Sequence, residues 1–525
     1  MIFYWQTICM KKQTFLNGVL ILLFGSIIAK GLGAFYRIPL TWILGAEGLG
    51  IYQLVFPIFS LILVVSSTGM PTAISKMIAE KKDNIKEANK ILKVSLITLL
   101  IIGTFFGLVL FFGAGLISNL QGNSLAKLSY IAIAPSVAFV AVISAFRGYF
   151  QGRMNMTPTS MSNIIEQFFK LIFGLSLAFL FLPQGLQFGV LGAILGVTLS
   201  EVVAMIYMLI VFAIEKKKEK NIIQQNVAVS KTKDILKLLF KTAMPIVFVS
   251  IIIPLSLFVD SFLVVNLLNL SGQSVQQSTI LWGIESGIVT SIVNLPVVLT
   301  LAVATAVVPS LVSDLQKRKE RIKQSMLISQ NISMPCAFGV LVLSPLILKF
   351  LYGGSFSNTI IDEFGTASSL LSASSFLIFF TSVLQTQNAS LQGLGHLKVP
   401  AVNMTIAVVI KTVMLLLTTI PSVNVFGVMI AKYAFFFVAT MLNAVFLYKK
   451  GYMLSKKAEM LTTFVSSLTM ALGLLVINNF NFNLSVYLLL PIEIFVGILI
   501  FAGSYICLSP NKTYFKFEKS KNKSL

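Results

Sequence analysis

The chain has 525 residues, of which 56% are hydrophobic and only 11% are charged, and its mean hydropathy is +0.91. A soluble domain has no way to bury so much apolar surface, so this composition is typical of an integral membrane protein. The formal charge of +22 would suggest nucleic acid binding in a soluble protein. Here the basic residues fall mostly in short loops between apolar runs, which predicts membrane topology and no nucleic acid partner.

The N-terminus offers two start positions. Residues 1–9 are apolar and lack the basic region of a signal peptide, whereas Met10 precedes Lys11, Lys12 and the first long apolar run. We expect translation to start at Met10, with Met1 as the alternative, and the first helix to be an uncleaved signal-anchor.

Two basic residues lie inside the first apolar run, which extends from Phe15 to Leu40. Lys30 and Arg37 are seven residues apart and therefore lie on nearly the same face of a helix. A charge at membrane depth costs about 3 kcal/mol on insertion scales, so a helix that keeps two of them is expected to face an anionic or hydrated environment. The pair predicts a binding site.

Apolar segments long enough to cross a membrane continue along the chain, and their count predicts an all-α integral membrane protein with about fourteen transmembrane helices. The predicted spans are 15–38, 50–70, 92–117, 128–149, 161–182, 188–214, 241–268, 281–309, 326–351, 366–386, 400–420, 425–448, 459–479 and 484–508.

Basic residues are concentrated in every second loop. Residues 76–93 and 216–241 are rich in lysine, whereas the alternate loops 183–187, 269–279 and 421–424 carry no lysine or arginine. The positive-inside rule therefore places both termini in the cytoplasm, as an even number of spans requires. The expected location is the bacterial plasma membrane.

The longest loop divides the chain into two halves. We predict an N-terminal six-helix lobe at 10–214, a cytoplasmic linker at 215–237, and a C-terminal six-helix lobe at 238–448. Two additional helices at 449–508 and a basic cytoplasmic tail at 509–525 complete the chain. No loop is long enough for a separate catalytic domain.

Two short patterns recur about 240 residues apart, which indicates an internal repeat and a pseudo-two-fold relation between the lobes. Gln151-Gly152, Pro158 and Lys170 recur as Gln392-Gly393, Pro400 and Lys411. Pro71, Ser75 and Lys81-Lys82 recur as Pro309, Ser313 and Lys317-Arg318-Lys319. A bundle of six plus six helices is the architecture of an alternating-access transporter, with its substrate held between the lobes.

Several motifs are concentrated in the first third of the chain: GAFYRIP at 33–39, STGMPTAISK at 67–76, FRGYFQG at 146–152, MTPT at 156–159 and Glu166-Gln167. With these motifs the chain resembles the stage V sporulation protein B branch of the polysaccharide transporter family. This family belongs to the MOP superfamily, together with the MurJ-type lipid II flippases and the MATE drug exporters. The resemblance covers essentially the whole chain and is most specific between Lys11 and Lys170.

The resemblance implies that an undecaprenyl-pyrophosphate-linked saccharide, such as lipid II or a related envelope precursor, is moved from the cytoplasmic to the outer leaflet. It also implies that basic residues of the N-terminal lobe hold the pyrophosphate, and Lys30 and Arg37 occupy the comparable part of the first helix. Two helices beyond the usual twelve suit a MurJ-like arrangement. The implied partners are the lipid-linked oligosaccharide and membrane lipids, and whether an ion, H⁺ or Na⁺, is coupled to transport stays open.

Three further candidates for substrate contact lie in the first half. Arg147 is either a positive-inside anchor or a substrate ligand. Glu166 and Lys170 are spaced i, i+4 on the fifth helix, so they are expected to pair with each other or to serve as gate contacts.

The second half supplies two candidates. Asp260 is predicted to pair with Arg37 across the lobes, and Lys411 takes the place that Lys170 has in the first half. Weaker candidates are Glu201, Glu285, Lys432 and Glu493.

Other classes of function lack their residues. One histidine, His396, and three distant cysteines offer no metal site or catalytic constellation, and no nucleotide-binding glycine loop is present, so we expect neither an enzyme nor a cofactor. The alternatives are a MATE-like multidrug exporter, which requires carboxylates where the first helix has cations, a membrane-embedded transferase, and a non-transporting scaffold for envelope or spore assembly.

Overall fold

The computed structural model describes residues 15–81, 84–219, 230–313, 316–356, 360–452, 457–480 and 484–509. Both candidate start residues, residues 220–229 of the linker and most of the basic tail lie outside these ranges. The described residues are helical almost throughout. The helices are α1 Phe15–Leu63, α2 Met70–Ala79, α3 Ile85–Leu120, α4 Lys127–Gly152, α5 Thr157–Phe181, α6 Leu186–Glu219, α7 Thr232–Ser250, α8 Ile252–Leu270, α9 Val275–Trp282, α10 Thr290–Ser313, α11 Arg318–Tyr352, α12 Glu363–Ser374, α13 Leu377–Gly393, α14 Lys398–Thr418, α15 Phe426–Lys449, α16 Lys457–Asn478 and α17 Val486–Leu508.

The all-α membrane fold is confirmed, and the span count is consistent with the prediction. Twelve helical stretches in the described residues are long and apolar enough to cross a membrane, and the pair α12 and α13, bent by 43°, adds a thirteenth. The first stretch, Leu20–Ala79, has 60 residues, whereas one crossing needs about 20. A stretch of this length has room for two crossings, which is consistent with about fourteen spans.

The first two spans differ from the prediction in how they are joined. The sequence suggests a loop after residue 38, but the chain stays helical through Leu63 and changes direction at Gly45, where φ is 65° and ψ is −175°. A residue with a Cβ rarely adopts this backbone conformation, so glycine allows the break without a loop.

The seventh predicted span is also divided, at Ile251 between α7 and α8. Pro254 lies in the first turn of α8 and has no amide hydrogen to donate to the preceding turn. The helix therefore ends and restarts there, and of the two pieces only Ile252–Leu270 passes as a membrane span by itself.

By their contacts the described residues form two units. The first comprises the chain up to Ser291 with Gly354–Ala367 and Ala401–Phe435, and the second comprises Ile292–Gly353, Ser368–Pro400 and the chain from Phe436 onward. The division into lobes at 10–214 and 238–448 remains a prediction. Residues 215–219 end α6, and α7 begins at Thr232.

Packing around the repeated Gln-Gly pairs is similar in the two units. In the first unit, a Cβ added to Gly152 would lie 2.8 Å from the carbonyl oxygen of Ser75, near the end of α2. In the second unit, a Cβ added to Gly393 would lie 3.4 Å from the Cα of Val308, near the end of α10. In both cases, a helix ending in Gln-Gly packs closely against a helix from the other repeated pattern, which supports the internal repeat.

The two predicted additional helices, α16 and α17, belong to the second unit and pack against α11. Leu474 and Leu490 form a buried apolar cluster with Phe338. Asn331 of α11 donates a hydrogen bond to the Tyr505 hydroxyl over 3.1 Å. Polar contacts between membrane helices are worth about 0.6 kcal/mol each, so the apolar contacts provide most of the cohesion here.

Candidate functional site

Helices α1 and α5 of the first unit run side by side in the same direction. A Cβ added to Gly33 would lie 3.0 Å from the Gln167 side-chain oxygen, and one added to Gly174 would lie 2.5 Å from the Tyr36 hydroxyl. This contact sets the helix that carries Lys30 and Arg37 beside the helix that carries Glu166 and Lys170.

Helix α6 packs closely against α5 at a pair of glycines. A Cβ added to Gly196 would lie 2.3 Å from the Cα of Gly174. Small residues at such an interface bring the helix axes together. Because the helices are antiparallel here, Glu201, five residues beyond Gly196, lies level with Lys170, four residues before Gly174.

Arg147 of α4 and Glu166 of α5 form an ion pair with a nitrogen–oxygen distance of 3.0 Å. The Arg147 Nε also donates to the Ser162 hydroxyl over 2.9 Å, and the second Glu166 oxygen accepts from the Gln167 amide over 2.8 Å. Both side chains are less than one-fifth exposed. The predicted Glu166–Lys170 pair is therefore wrong, because Arg147 takes the carboxylate.

Lys170 instead lies against two aromatic rings. Its Nζ is 5.2 Å from the ring centre of Tyr36 and 4.9 Å from that of Phe56, within the range of cation–π attraction. Its charged neighbours are Arg37, Glu166 and Glu201. Lys170 thus forms no ion pair in the described part of the chain and adds positive charge to the group.

Arg37 is half-buried and donates to the Ser291 hydroxyl over 3.0 Å. The Ser291 hydroxyl in turn donates to the carbonyl of Gly287, inside a π-helical turn at Gly283–Val289. Such turns often occur at functional sites. Lys30 is exposed and has no ion pair or hydrogen bond to another described residue.

Arg37, Arg147, Glu166, Lys170 and Glu201 form what we call the charge cluster. Three basic and two acidic side chains from α1, α4, α5 and α6 meet within electrostatic range, so the group has one excess positive charge even with both acids ionised. Glu201 is 5% exposed. Lys30 precedes Arg37 by about two helical turns and adds a further positive charge to the same face of α1.

Asp260 and Lys411 form a separate buried pair. The Lys411 Nζ lies 2.5 Å from the Asp260 Oδ2 and 2.6 Å from the Ser256 hydroxyl. The predicted pairing of Asp260 with Arg37 is wrong, because Lys411 occupies the carboxylate and Arg37 contacts Ser291. This pair binds α14 to α8.

A second pair of the same kind joins Lys432 of α15 to Glu285 of the π-helical turn, and Lys432 also donates to the Thr290 hydroxyl over 3.0 Å. We call the two the lysine–carboxylate pairs. From the sequence alone, Lys432 and Glu285 are weaker candidates for substrate contact. Each stands alone in an apolar run and no local spacing links them, so only the folded chain reveals the contact.

Among the described residues, no three His, Cys, Asp or Glu side chains are grouped so as to hold a metal ion. The charge cluster with Lys30 is instead suited to bind an anion, since ammonium and guanidinium groups outnumber carboxylates there.

Known proteins resemble this chain over most of its length. A family model described as polysaccharide biosynthesis protein matches residues 15–316, more than half of the chain. Stage V sporulation protein B of Bacillus subtilis (strain 168) is 28% identical over 480 residues, which cover 87% of this chain and 90% of that protein. Lipid II flippase MurJ of the same organism is 27% identical and covers 76% of each chain.

Solved structures share the fold. A lipid II flippase MurJ in an inward closed conformation has a TM-score of 0.70 at 18% identity and covers 93% of this chain and 98% of that chain. An inward-facing multidrug resistance MATE family transporter has a TM-score of 0.60 at 17% identity and covers 82% of this chain and 98% of that chain. The chain is a multi-pass membrane protein, and it belongs to the family described as polysaccharide biosynthesis protein.

Proposed function

We propose that this protein is a flippase that moves an undecaprenyl-pyrophosphate-linked saccharide, lipid II or a related envelope precursor, from the cytoplasmic to the outer leaflet. Lys30, Arg37 and Lys170 hold the diphosphate of the substrate. Arg147 stays in its ion pair with Glu166 and has a supporting, structural role in the site. The lipid tail stays among the membrane lipids while the headgroup crosses.

One observation carries this proposal: three basic side chains on the adjacent helices α1 and α5 of the first unit lack a carboxylate of their own. Lys30 has no partner among the described residues, Arg37 has only a serine hydroxyl, and Lys170 has only aromatic rings. Elsewhere in this unit, Lys411 and Lys432 each bind a carboxylate. Unpaired cations are costly in a membrane protein, and a diphosphate would supply the missing negative charge.

Relatives support the class of substrate. One relative is named for lipid II flipping and another for stage V sporulation, so precursors of the cell wall or of the spore envelope are the substrates that we infer. We place the protein in the plasma membrane with both termini in the cytoplasm, as the distribution of basic loops predicts.

The membrane potential is a sufficient source of energy. Moving one negative charge outward across an inside-negative membrane releases about 2.3 kcal/mol per 100 mV. A diphosphate carries more than one charge, so we infer a transport cycle that needs no nucleotide hydrolysis.

A MATE-like exporter of cationic drugs is the competing function, and Glu201 is the observation that favours it. Glu201 is a buried carboxylate that is not engaged in an ion pair within the described residues. Against this, Arg37, Arg147 and Lys170 outnumber Glu166 and Glu201, so the cluster repels a cation.

Transport in reconstituted vesicles tests the proposal. Full-length protein is placed in liposomes with a fluorescent undecaprenyl-pyrophosphate saccharide, and quenching of the outer leaflet reports its movement. We expect Lys30→Glu to reduce the rate at least tenfold and Lys30→Arg to retain most of it, because a charge-assisted hydrogen bond is worth about 1.5–3 kcal/mol.

Lys127→Glu is the matched control. Lys127 is also an exposed lysine of the first unit, but it begins α4, about 30 Å of helix from Arg147. Equal loss in both charge reversals would assign the effect to net charge and contradict the proposal. Movement of ethidium without movement of the lipid would favour the exporter.

A further inference from the structure

Glu201 of α6 is a buried acid that the proposed function does not use. It is 5% exposed, and its Oε2 is fully buried without a hydrogen-bond partner in the described part of the protein. A negative charge on Oε2 would have lost its hydration and gained no hydrogen bond in return, which is an unfavourable position for an ionised oxygen.

The charges around Glu201 come from three neighbouring helices. Arg147 of α4 and Glu166 and Lys170 of α5 act on it directly, and Arg37 of α1 acts on Lys170. Tyr36 of α1 also packs against α5.

Neither Arg147 nor Lys170 forms an ion pair with Glu201. The Arg147 side chain donates to Ser162 and Glu166, and the Lys170 ammonium lies over the rings of Tyr36 and Phe56. Glu166 is a like charge whose two oxygens are both already bonded. The Glu166 carboxylate therefore repels a negative charge on Glu201, and the two nearby cations, Arg147 and Lys170, make their contacts with other groups.

We propose that Glu201 is a proton-binding site linked to the anion site of the charge cluster. A proton on Glu201 removes one of the two negative charges that oppose an incoming anion. The anion in turn neutralises the cations that would otherwise favour an ionised Glu201. Each ligand therefore strengthens the binding of the other, as linkage requires.

This inference rests on the proposed function for its second ligand, the diphosphate, but the proton site itself does not. It identifies Glu201 as the residue that binds a coupling proton, whereas the fold alone does not specify a coupling ion. Since proton and anion bind together, acid conditions on the side where the substrate enters favour loading, and alkaline conditions favour release.

Infrared spectroscopy of the full-length protein in nanodiscs tests the proton site directly. A protonated carboxylic acid has a carbonyl band separate from that of a carboxylate. We expect such a band in the native protein near neutral pH and its loss in Glu201→Gln.

Glu493 supplies a matched control. It is a buried glutamate of α17 in the second unit, 1% exposed, and neither of its carboxylate oxygens has a hydrogen-bond partner among the described residues. Glu493→Gln is expected to remove a band that does not respond to diphosphate. Absence of any band that Glu201→Gln removes would overturn the inference.

Binding of undecaprenyl pyrophosphate at several pH values tests the linkage, with undecaprenol as the uncharged probe. We expect native affinity to weaken with rising pH by up to about tenfold per unit beyond the trend of Glu201→Gln, which retains only the titration of the ligand itself. Equal pH trends in both proteins would overturn the linkage. A Glu201 band without diphosphate binding at any pH would refute the proposed function and leave the proton site standing.

Discussion

The charge cluster and the lysine–carboxylate pairs lie in the same unit but differ in whether each charged side chain has a partner of opposite charge. In the pairs, each buried ammonium has its own carboxylate, as Lys411 has Asp260. In the cluster, Arg37 and Lys170 have only a hydroxyl and aromatic rings, and Glu201 has no bonded partner among the described residues. In each pair the ammonium group is already bound to a carboxylate. In the cluster, Arg37, Lys170 and Glu201 remain available to bind ions.

This difference separates residues that hold the fold from residues that bind. A buried pair pays for desolvation with its own Coulomb attraction, so removing one member leaves an uncompensated charge. An unpaired cation contributes no such attraction, so its removal should change stability little while it weakens the binding of an anion. Substitutions in the pairs should therefore lower mainly stability, whereas substitutions of unpaired cations in the cluster should lower mainly transport.

The largest expected effect on stability is at Lys411. Lys411→Met leaves Asp260 buried and charged, and we expect a loss of about 3–5 kcal/mol in the free energy of unfolding. Replacing both members, in Lys411→Met with Asp260→Leu, should restore most of the loss. Unfolding in detergent followed by circular dichroism measures both. A single variant as stable as the native protein would break the comparison.

The next effect concerns the approach of α5 and α6. In Gly196→Ala the new Cβ would lie 2.3 Å from the Gly174 backbone, which forces the helices apart and costs about 1–3 kcal/mol. Gly503→Ala is the control, because no atom lies within 4 Å of its new Cβ. The same unfolding measurement should show no loss for it. Equal stability of the two variants would argue against close packing as the basis of the cluster.

The ion pair inside the cluster is expected to contribute less. Arg147 and Glu166 are each nearly one-fifth exposed, so a double-mutant cycle of Arg147→Gln and Glu166→Gln should give a coupling energy of about 1 kcal/mol. A value as large as that of the Lys411 pair would mean that the cluster is a structural network of the same kind.

The smallest effect on stability is expected at Lys170. Lys170→Met keeps a flexible side chain against the rings of Tyr36 and Phe56, so the free energy of unfolding should change by less than about 0.5 kcal/mol. Transport of the lipid-linked saccharide should nevertheless fall at least tenfold. A variant that is stable and fully active would remove Lys170 from the binding site.

The sequence predicts the membrane architecture well, because each span carries its own apolar signal. It also predicts that Lys30 and Arg37 share a face of one helix, since seven residues complete about two turns. The joins between spans follow weaker rules. Gly45 replaces a loop by a break within a helix, and Pro254 divides a span whose hydropathy is continuous.

The charge partners were the part that sequence alone could not supply. Spacing suggested Glu166 with Lys170, but Arg147 reaches the carboxylate from a different helix. Similar depth suggested Asp260 with Arg37, but Lys411, 151 residues away in the chain, takes it. Such contacts depend on which helices pack together, which no local pattern contains.

Gly45 gives the first helix a property that neither arm has alone. Lys30 lies fifteen residues before this break, so a turn of about 10° in the backbone there would displace it by about 4 Å. Arg37, closer to the break, would move in the same direction by a smaller distance. A small change in the dihedral angles of Gly45 would therefore move both cations together, and Lys30 by the larger distance.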